Sequence, residues 1–438
     1  MEKTQKLNII TGIVLAGFII AVIYHFILGV FFHLEYPYNT FLFIPNVRFS
    51  DFTDIFKLYG STSFNPYLQF HNHANHFPLG MFFMYLFRLI PILLSFLLFN
   101  FIYIGYFLFY NFNNIKQILP SKIIFSTLIL SLCSFPFLIL FDRGNYEGFV
   151  FLFLSLFVYF FSKEKYTKSA LMLAIPIAMK GFPVLLLPLF WAKKRFKEFF
   201  YCIGFSFLLT IVPLVMAKGG IIPNILCFLK HLGNYFSVMA INNGGLGFGS
   251  SLFGIVKFII FWLNGCFKLF PHQIGDTAFY FYSFLVSENN YIYGLVSRAL
   301  GIFTPIAGIL TLLVIIYVIF VEKEFWKQVL LLIICTIIFT PVSGDYKLLH
   351  LYIPMWLFIK SENKSKSDWI YAILFGLILI PKNYLQFIEP SVPNSFFSIS
   401  IVIDPLILTI MLVMIIKEGF YKYNNIGQNN KKFLEKDI

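Results

Sequence analysis

Cysteine is scarce and scattered, five in 438 residues, at Cys133, Cys202, Cys227, Cys266 and Cys335. No two stand in a C-x-x-C spacing, which excludes a cysteine-built metal centre and a disulfide framework and leaves them as small packing residues. Charge is scarce as well. Asp, Glu, Lys and Arg make up 12% of the chain against 59% hydrophobic residues, and the mean hydropathy is +0.81. No soluble domain of this length needs so much apolar surface, so the composition reads as an all-α polytopic membrane protein. Acid is the scarcer sign, with 20 Asp and Glu against 33 Lys and Arg. The basic residues concentrate in short segments between apolar runs, the positive-inside pattern, so nucleic acid is not an expected partner. The Gly-rich run Asn242–Ser250 lacks the G-K-[ST] ending of a phosphate loop and reads as a loop that orders over substrate.

What is abundant is phenylalanine, 60 residues, with aromatics at 21%. Tyr, Ile, Lys and Asn are plentiful too, and together they read as an AT-rich coding bias rather than as a stacking surface. The apolar runs set a topology within one integral membrane domain, residues 1–438. Met1–Lys6 is basic and precedes a first span, Leu7–Phe32, too long for a signal-peptide core. A first outer loop follows (33–76). Phe77–Phe112 crosses back, interrupted by Arg88 and Pro91, and Ile123–Leu140 returns outward. Phe149–Phe161 goes in and Phe199–Ala217 out. Residues 218–297 form a second outer segment, within which 251–270 is apolar and fits a re-entrant, interfacial or spanning helix equally well. Arg298–Phe320, Gln328–Val342, Leu348–Ile359, Trp369–Ile388 and Phe396–Ile416 complete the crossings. A basic, disordered tail is expected from Lys417 (417–438), and both termini are expected in the cytoplasm.

One stretch, 142–198, breaks the apolar rule. Asp142-Arg143-Gly144-Asn145-Tyr146-Glu147 joins two apolar runs, and Lys180 stands alone within Ser169–Ala192. A charge at mid-bilayer costs roughly 2.5–3.5 kcal/mol on insertion scales, so such residues usually face a cavity and have a task. Basic clusters on both sides, Lys163/Lys165/Lys168 and Lys193/Lys194/Arg195/Lys197, must lie on the same face. The stretch between them is therefore expected to be a hairpin of two short helices turning at Lys180-Gly181-Phe182-Pro183. Lys180 in a cavity neutralises a phosphate as a point charge. Arg143 can bind an anion together with a helix N-terminus, or pair with Asp142 while Asp142 or Asn145 caps the next helix; the residues alone leave both open. In the first loop, Asp51 and Asp54 are three apart and share a face on a helix. Either carboxylate can serve as a general base toward a substrate hydroxyl, although solvated loop acids are commoner. His350 falls near the Asp345/Lys347 tip, where a packed, hydrogen-bonded histidine is the ordinary reading. His71, His73 and His76 lie close together without a scaffold for a metal, so no metal and no cofactor is expected.

The order of several short motifs resembles the GT-C glycosyltransferases of family 87. Asp51-Phe52 follows the first span, then Asn65-Pro66-Tyr67 and His76-Phe77-Pro78-Leu79. Asp142-Arg143-Gly144-Asn145 ends a span, and a basic loop, Lys180-x-x-Pro183 and a second basic cluster come after it. Residues 45–200 carry the resemblance, echoed at Asn243–Leu252 and Thr340–Pro354. It implies a GT-C-like bundle of about 10–12 transmembrane helices with two large outer loops, in the bacterial inner membrane. Many members of the group carry a domain of unknown function, and the characterised ones are polyprenyl-phosphate-mannose-dependent mannosyltransferases. The implied reaction is an inverting transfer of one hexose from a polyprenyl-phosphate sugar donor to a lipid or glycan acceptor at the outer face. The family's base is a first-loop Asp, matched by Asp51, with Asp54 a second choice. Arg143 and Lys180 are the implied donor-phosphate residues, supported by Asp142, Asn145, Glu147, His76 and His350. The chain departs from the pattern at Phe182, where Tyr commonly precedes the Pro, and at His76-Phe77-Pro78, where Tyr-Pro-Pro is common, which leaves the sugar open. An O-antigen-type polymerase or ligase shares the architecture but grips a diphosphate with arginine-rich outer loops. The outer loops here carry only Arg48, Arg143 and, at the second loop's end, Arg298. A transporter or flippase also breaks helices near mid-bilayer, but the chain shows no internal repeat.

Overall fold

The computed structural model describes residues 1–36, 38–42, 48–58, 64–68, 76–241, 246, 249–274, 277–284, 290–382, 386–388 and 396–434. His71, His73 and most of the Gly-rich run lie outside the described residues. Helices dominate the rest: α1 (Lys3–Phe26), α2 (Ser50–Leu58), α3 (Pro78–Arg88), α4 (Ile92–Lys116), α5 (Ile123–Leu132), α6 (Phe135–Arg143), α7 (Glu147–Ser162), α8 (Tyr166–Lys180), α9 (Pro188–Ala192), α10 (Phe196–Met216), α11 (Ile221–Phe236) and α12 (Leu252–Leu263). An antiparallel hairpin of β1 (Phe267–Ile274) and β2 (Thr277–Phe284) comes next, followed by α13 (Asn290–Phe320), α14 (Phe325–Ile338), α15 (Tyr352–Lys360) and α16 (Asp368–Leu379). A second small hairpin, β3 (Gln386–Ile388) with β4 (Phe396–Ser398), precedes α17 (Ser400–Leu434). Both hairpins lie between the bundle's helices, in segments the hydropathy pattern leaves as connections or helix ends.

Among the described residues, five helices are long and apolar enough to cross a membrane: 3–31, 92–116, 196–216, 291–320 and 400–421. A sixth crossing arises if α5 and α6, bent by 56° at Ser134, act as one broken span. Their outward surfaces are apolar, with Ile20, Leu93, Phe101, Phe207 and Leu312 all more than half exposed. In water such a surface would aggregate; in lipid it costs nothing, and the chain is a multi-pass membrane protein.

Arg88 and Pro91 break the second apolar run where the sequence places the interruption, and the two pieces do different jobs. Helix α4, with 25 residues, is about 37 Å long and spans the bilayer by itself. Helix α3 stays at one end of the bundle. Gly80 near its start lies against the Tyr146 hydroxyl and the Met179 carbonyl. Phe83 and Phe87 near its finish pack on Phe149 with ring centroids 4.6 and 6.1 Å apart. Pro91 cannot donate to the preceding turn, so the chain turns there and α4 begins.

The charged stretch folds as two arms. Helix α8 ends at Lys180, Gly181 takes φ +74°, and a 3₁₀ turn at Phe182–Leu186 leads into α9. A Cβ on Gly181 would stand 2.4 Å from the Phe77 ring, so both the backbone angle and the close approach require glycine. Helix α12 answers the question left open at 251–270: twelve residues rise about 18 Å, short of the ~30 Å hydrocarbon core, and β1 follows directly.

Three expectations need correction. The run expected as a span over Trp369–Ile388 is helical only to Leu379, because Pro381 follows and Lys382 donates to the carbonyls of Leu377, Ile378 and Ile380 at the helix end. The last span starts at Ser400, after β4, rather than at Phe396. The tail expected to be disordered from Lys417 continues α17 to Leu434. Glu418 is tied to Lys327 at 2.9 Å and Tyr317 donates to the Ile415 carbonyl at 3.1 Å, which extends the helix past the apolar run.

Candidate active site

Asp51 lies in the first turn of α2, next to Phe52, which is fully buried and packs on Phe96 and Phe99 at centroid distances of 5.5 and 4.9 Å. Edge-to-face aromatic pairs add roughly 0.5–1.5 kcal/mol each beyond the area they bury, so Phe52 is the anchor that fixes the carboxylate one residue before it. Phe49, just before α2, adopts φ +56°, a conformation that a bulky residue accepts only when held. Its N–H donates to the Asp142 carbonyl at 2.7 Å, and its ring packs on Phe96 and Phe141. Truncating the anchor should be severe: Phe52→Ala is expected to lose about 3–5 kcal/mol of stability. Activity should fall further than the folded fraction, as measured by thermal unfolding in detergent beside an activity assay; parallel losses would show that Phe52 serves the core alone.

Gly144 closes α6 with φ +62°, and its absent Cβ admits Phe52, whose own Cβ would be 3.1 Å away. This approach brings Asp51, ninety-two residues earlier, onto Arg143: the guanidinium Nη2 bonds Asp51 Oδ1. Asn145 Nδ2 donates to the other oxygen, Oδ2, at 2.6 Å. Asn145 Oδ1 then accepts from the Glu147 N–H at 2.9 Å and from Lys180 Nζ at 3.3 Å. The amide orientation is forced, since a carboxylate can only accept and an ammonium can only donate. Asn145 thus couples an acidic half of the site to a basic half.

Glu147 is the first residue of α7 and fully buried. Its Oε2 is 2.9 Å from Lys180 Nζ, and its Oε1 is 2.6 Å from His350 Nε2. His350 Nδ1 has no hydrogen-bond partner among the described residues, so the proton belongs on Nε2. Lys180 also stands over the Tyr146 ring, 4.3 Å from its centroid, and 5.5 Å from that of Tyr346. His76 Nδ1 is 3.1 Å from the Tyr146 hydroxyl. Burial, reinforced by the charge of Lys180, pushes the His76 pKa down to about 3, so this ring stays neutral. Asp142 takes Arg48, at 3.5 Å.

Eight of the nine residues singled out in the sequence therefore meet or adjoin one another. The ninth, Asp54, is exposed and makes no ion pair among the described residues. Sequence reasoning missed Tyr346 and Lys347 as site residues. Both are partly exposed on the 3₁₀ turn Asp345–Leu351 that carries His350. Lys347 Nζ lies 4.8 Å from the Phe182 ring centroid and feels the charges of Glu147 and Lys180. The signal was present: the Asp345/Lys347 tip stands between two short apolar runs, but nothing in the sequence ties it to the charged stretch at 142–198. Tyr235, at the end of α11, feels Lys180, Asp51 and Arg143, and nothing distinguishes it among 25 tyrosines in the sequence. Asp345 itself points away from this site. It is buried, accepts from Ser250 at 2.8 Å, and burial lifts its pKa to about 7.

The arrangement holds one partly exposed carboxylate in a fixed orientation beside a cluster of cations, and so pairs a proton acceptor with an anion site. No curated protein matches the chain in sequence. Residues 77–264, which contribute Arg143, Asn145, Glu147 and Lys180, match the model of glycosyltransferase family 87, and that match indicates a membrane glycosyltransferase.

Proposed function

We propose that the protein is a GT-C glycosyltransferase that moves one hexose, mannose or a close relative, from a polyprenyl-phosphate donor to a hydroxyl of a lipid or glycan acceptor, at the outer face of a bacterial inner membrane and with both chain termini in the cytoplasm. The observation that carries this reading is the grip of Arg143 and Asn145 on Asp51 within reach of Lys180. In the reaction the acceptor oxygen bonds to the anomeric carbon from the side opposite the phosphate. The bond from that carbon to the phosphate oxygen breaks, its electron pair stays on the phosphate, and the acceptor proton passes to Asp51. The anomeric configuration inverts.

The leaving group is a single phosphate, and cations aimed at it lower the barrier where its charge develops. Lys180 and Lys347 are the point charges for it. Arg143 has two claims on it: in the empty site it holds Asp51, and an arriving phosphate competes for the guanidinium. Donor binding thereby loosens the carboxylate for proton transfer. Tyr346 and neutral His76, both partly exposed, are the side chains for sugar contact, with buried Tyr146 behind them bonded to His76. This reading makes the sugar fit depend on His76, one of the two places where the chain departs from the family's motif.

A pH dependence follows from Lys347. Burial outweighs the attraction of Glu147, Lys180 repels, and the pKa falls to about 8. The charged form is lost as pH rises through that value, so kcat/KM for the donor should decline above pH about 8 while kcat changes little. Lys347→Arg keeps its charge at every working pH and should flatten the limb; an unchanged limb in that variant would remove Lys347 from the donor site. The identity test is incubation of the purified protein with a panel of polyprenyl-phosphate sugars and acceptors, read by mass spectrometry. Transfer from a monophosphate donor is the expected result. Turnover of diphosphate-linked oligosaccharides alone would move the protein to the polymerase or ligase class.

A further inference from the structure

A cavity at the other end of the bundle belongs to no step of this chemistry. It measures about 640 Å³ and lies between the C-terminal halves of α4, α7 and α15, a size typical of small-molecule sites. Helix α7 fixes its depth. The helix starts at Glu147 in the active site and reaches the cavity rim at Lys163, sixteen residues or about 24 Å away. Against a hydrocarbon core of ~30 Å, the rim stands at the headgroup level of the opposite leaflet.

The cavity has a cationic mouth and an apolar wall. Lys163 and Lys360 both line it, and Lys360 feels the like charges of Lys163 and Lys3. Lys3 finds an acid, Glu362, at 3.6 Å. Among the described residues neither Lys163 nor Lys360 makes an ion pair, and neither ammonium bonds the carbonyls at the three helix ends nearby. Like charges gathered without an anion raise the energy of the empty site. Deeper in, Phe109, Leu156 and Leu357 form the wall, and Phe109 and Tyr159, 62% and 55% exposed, open it toward the bilayer. At the mouth Asn113 and Gln117 present amide donors at the depth where a lipid carries its ester carbonyls.

We propose that this cavity binds one anionic membrane phospholipid, its phosphate between Lys163 and Lys360 and an acyl chain along Phe109, Leu156 and Leu357. Charge complementarity selects the class: a zwitterionic lipid brings its own cation to a mouth that already holds two unpaired ones. An acyl chain replaces apolar wall that would otherwise face a void.

The test uses the full chain, purified and delipidated in detergent, and titrated with phosphatidylglycerol or with phosphatidylcholine. Native mass spectrometry should show one phosphatidylglycerol per chain, and the unfolding temperature should rise by several degrees, with phosphatidylcholine doing neither at equal concentration. Lys163→Gln combined with Lys360→Gln should weaken phosphatidylglycerol binding at least tenfold. Leu156→Trp, which fills the wall and keeps both lysines, should block the bound lipid independently. Equal effects of the two lipids on the wild-type protein, or full binding in both variants, would overturn the proposal. These readouts involve no sugar transfer, so the reading of the active site stands or falls separately.

Discussion

Asp51→Asn is expected to lower kcat for sugar transfer by about 10²–10⁴-fold, the ordinary contribution of a positioned general base, with the donor KM unchanged or lowered. The second half of that expectation is the discriminating one. Asn matches the shape of Asp and still accepts from Asn145 through its oxygen, so α2 keeps its place on Phe96 and Phe99. What disappears is the negative charge that competes with a donor phosphate for Arg143. A residue needed only for structure would cost stability and donor binding together; a base costs turnover and leaves the phosphate subsite intact or improved. Asp54→Asn, on the exposed side of the same helix, should be close to neutral in the same assay. Asp51→Asn with wild-type kcat, or an equal loss in Asp54→Asn, would end the assignment of the base.

Much of this site was legible in the sequence because charge in an apolar chain is conspicuous. Asp142–Glu147 and Lys180 stood out by being expensive where they are, and the turn at Gly181 followed from two basic clusters that must share a face. The contact between Asp51 and Arg143 was not derivable from those residues alone. It depends on Gly144 having no Cβ beside Phe52, a fit between two segments ninety residues apart that no local pattern records. The division of labour inside the charged stretch was also hidden. Arg143 and Lys180 look equivalent as cations in an apolar run, yet the fold gives one to Asp51 and the other to Glu147. Helix ends were misjudged where hydropathy and backbone chemistry part company. The apolar run over Trp369–Ile388 promised a full span, but Pro381 and the Lys382 cap end the helix at Leu379. The tail after Lys417 reads as polar and unstructured by composition, while an ion pair to Lys327 carries the helix onward.

Lys180→Met is expected to be as damaging to the fold as truncating the Phe52 anchor, because of what it leaves behind. Glu147 is fully buried, and its two oxygens face Lys180 at 2.9 Å and His350 at 2.6 Å. With the ammonium gone, a carboxylate remains in a low-dielectric site, hydrogen-bonded among the described residues to His350 and helped only at longer range by the charge of Lys347. Breaking a buried pair from one side in this way costs about 3–5 kcal/mol, whereas removing both partners is often close to neutral. Adding Glu147→Gln to Lys180→Met should therefore recover most of the lost stability. The Gln amide keeps an oxygen for His350 Nε2–H and carries no charge to bury. Sugar transfer should not recover, because Lys180 itself is assigned to the donor phosphate and its charge is absent in both variants. The double-mutant cycle thus separates two roles that one side chain combines: an unfolding temperature that returns with activity still lost identifies Lys180 as a donor-site cation held in place by Glu147. Recovery of both would reduce it to a structural counter-ion and leave the phosphate to Arg143 and Lys347.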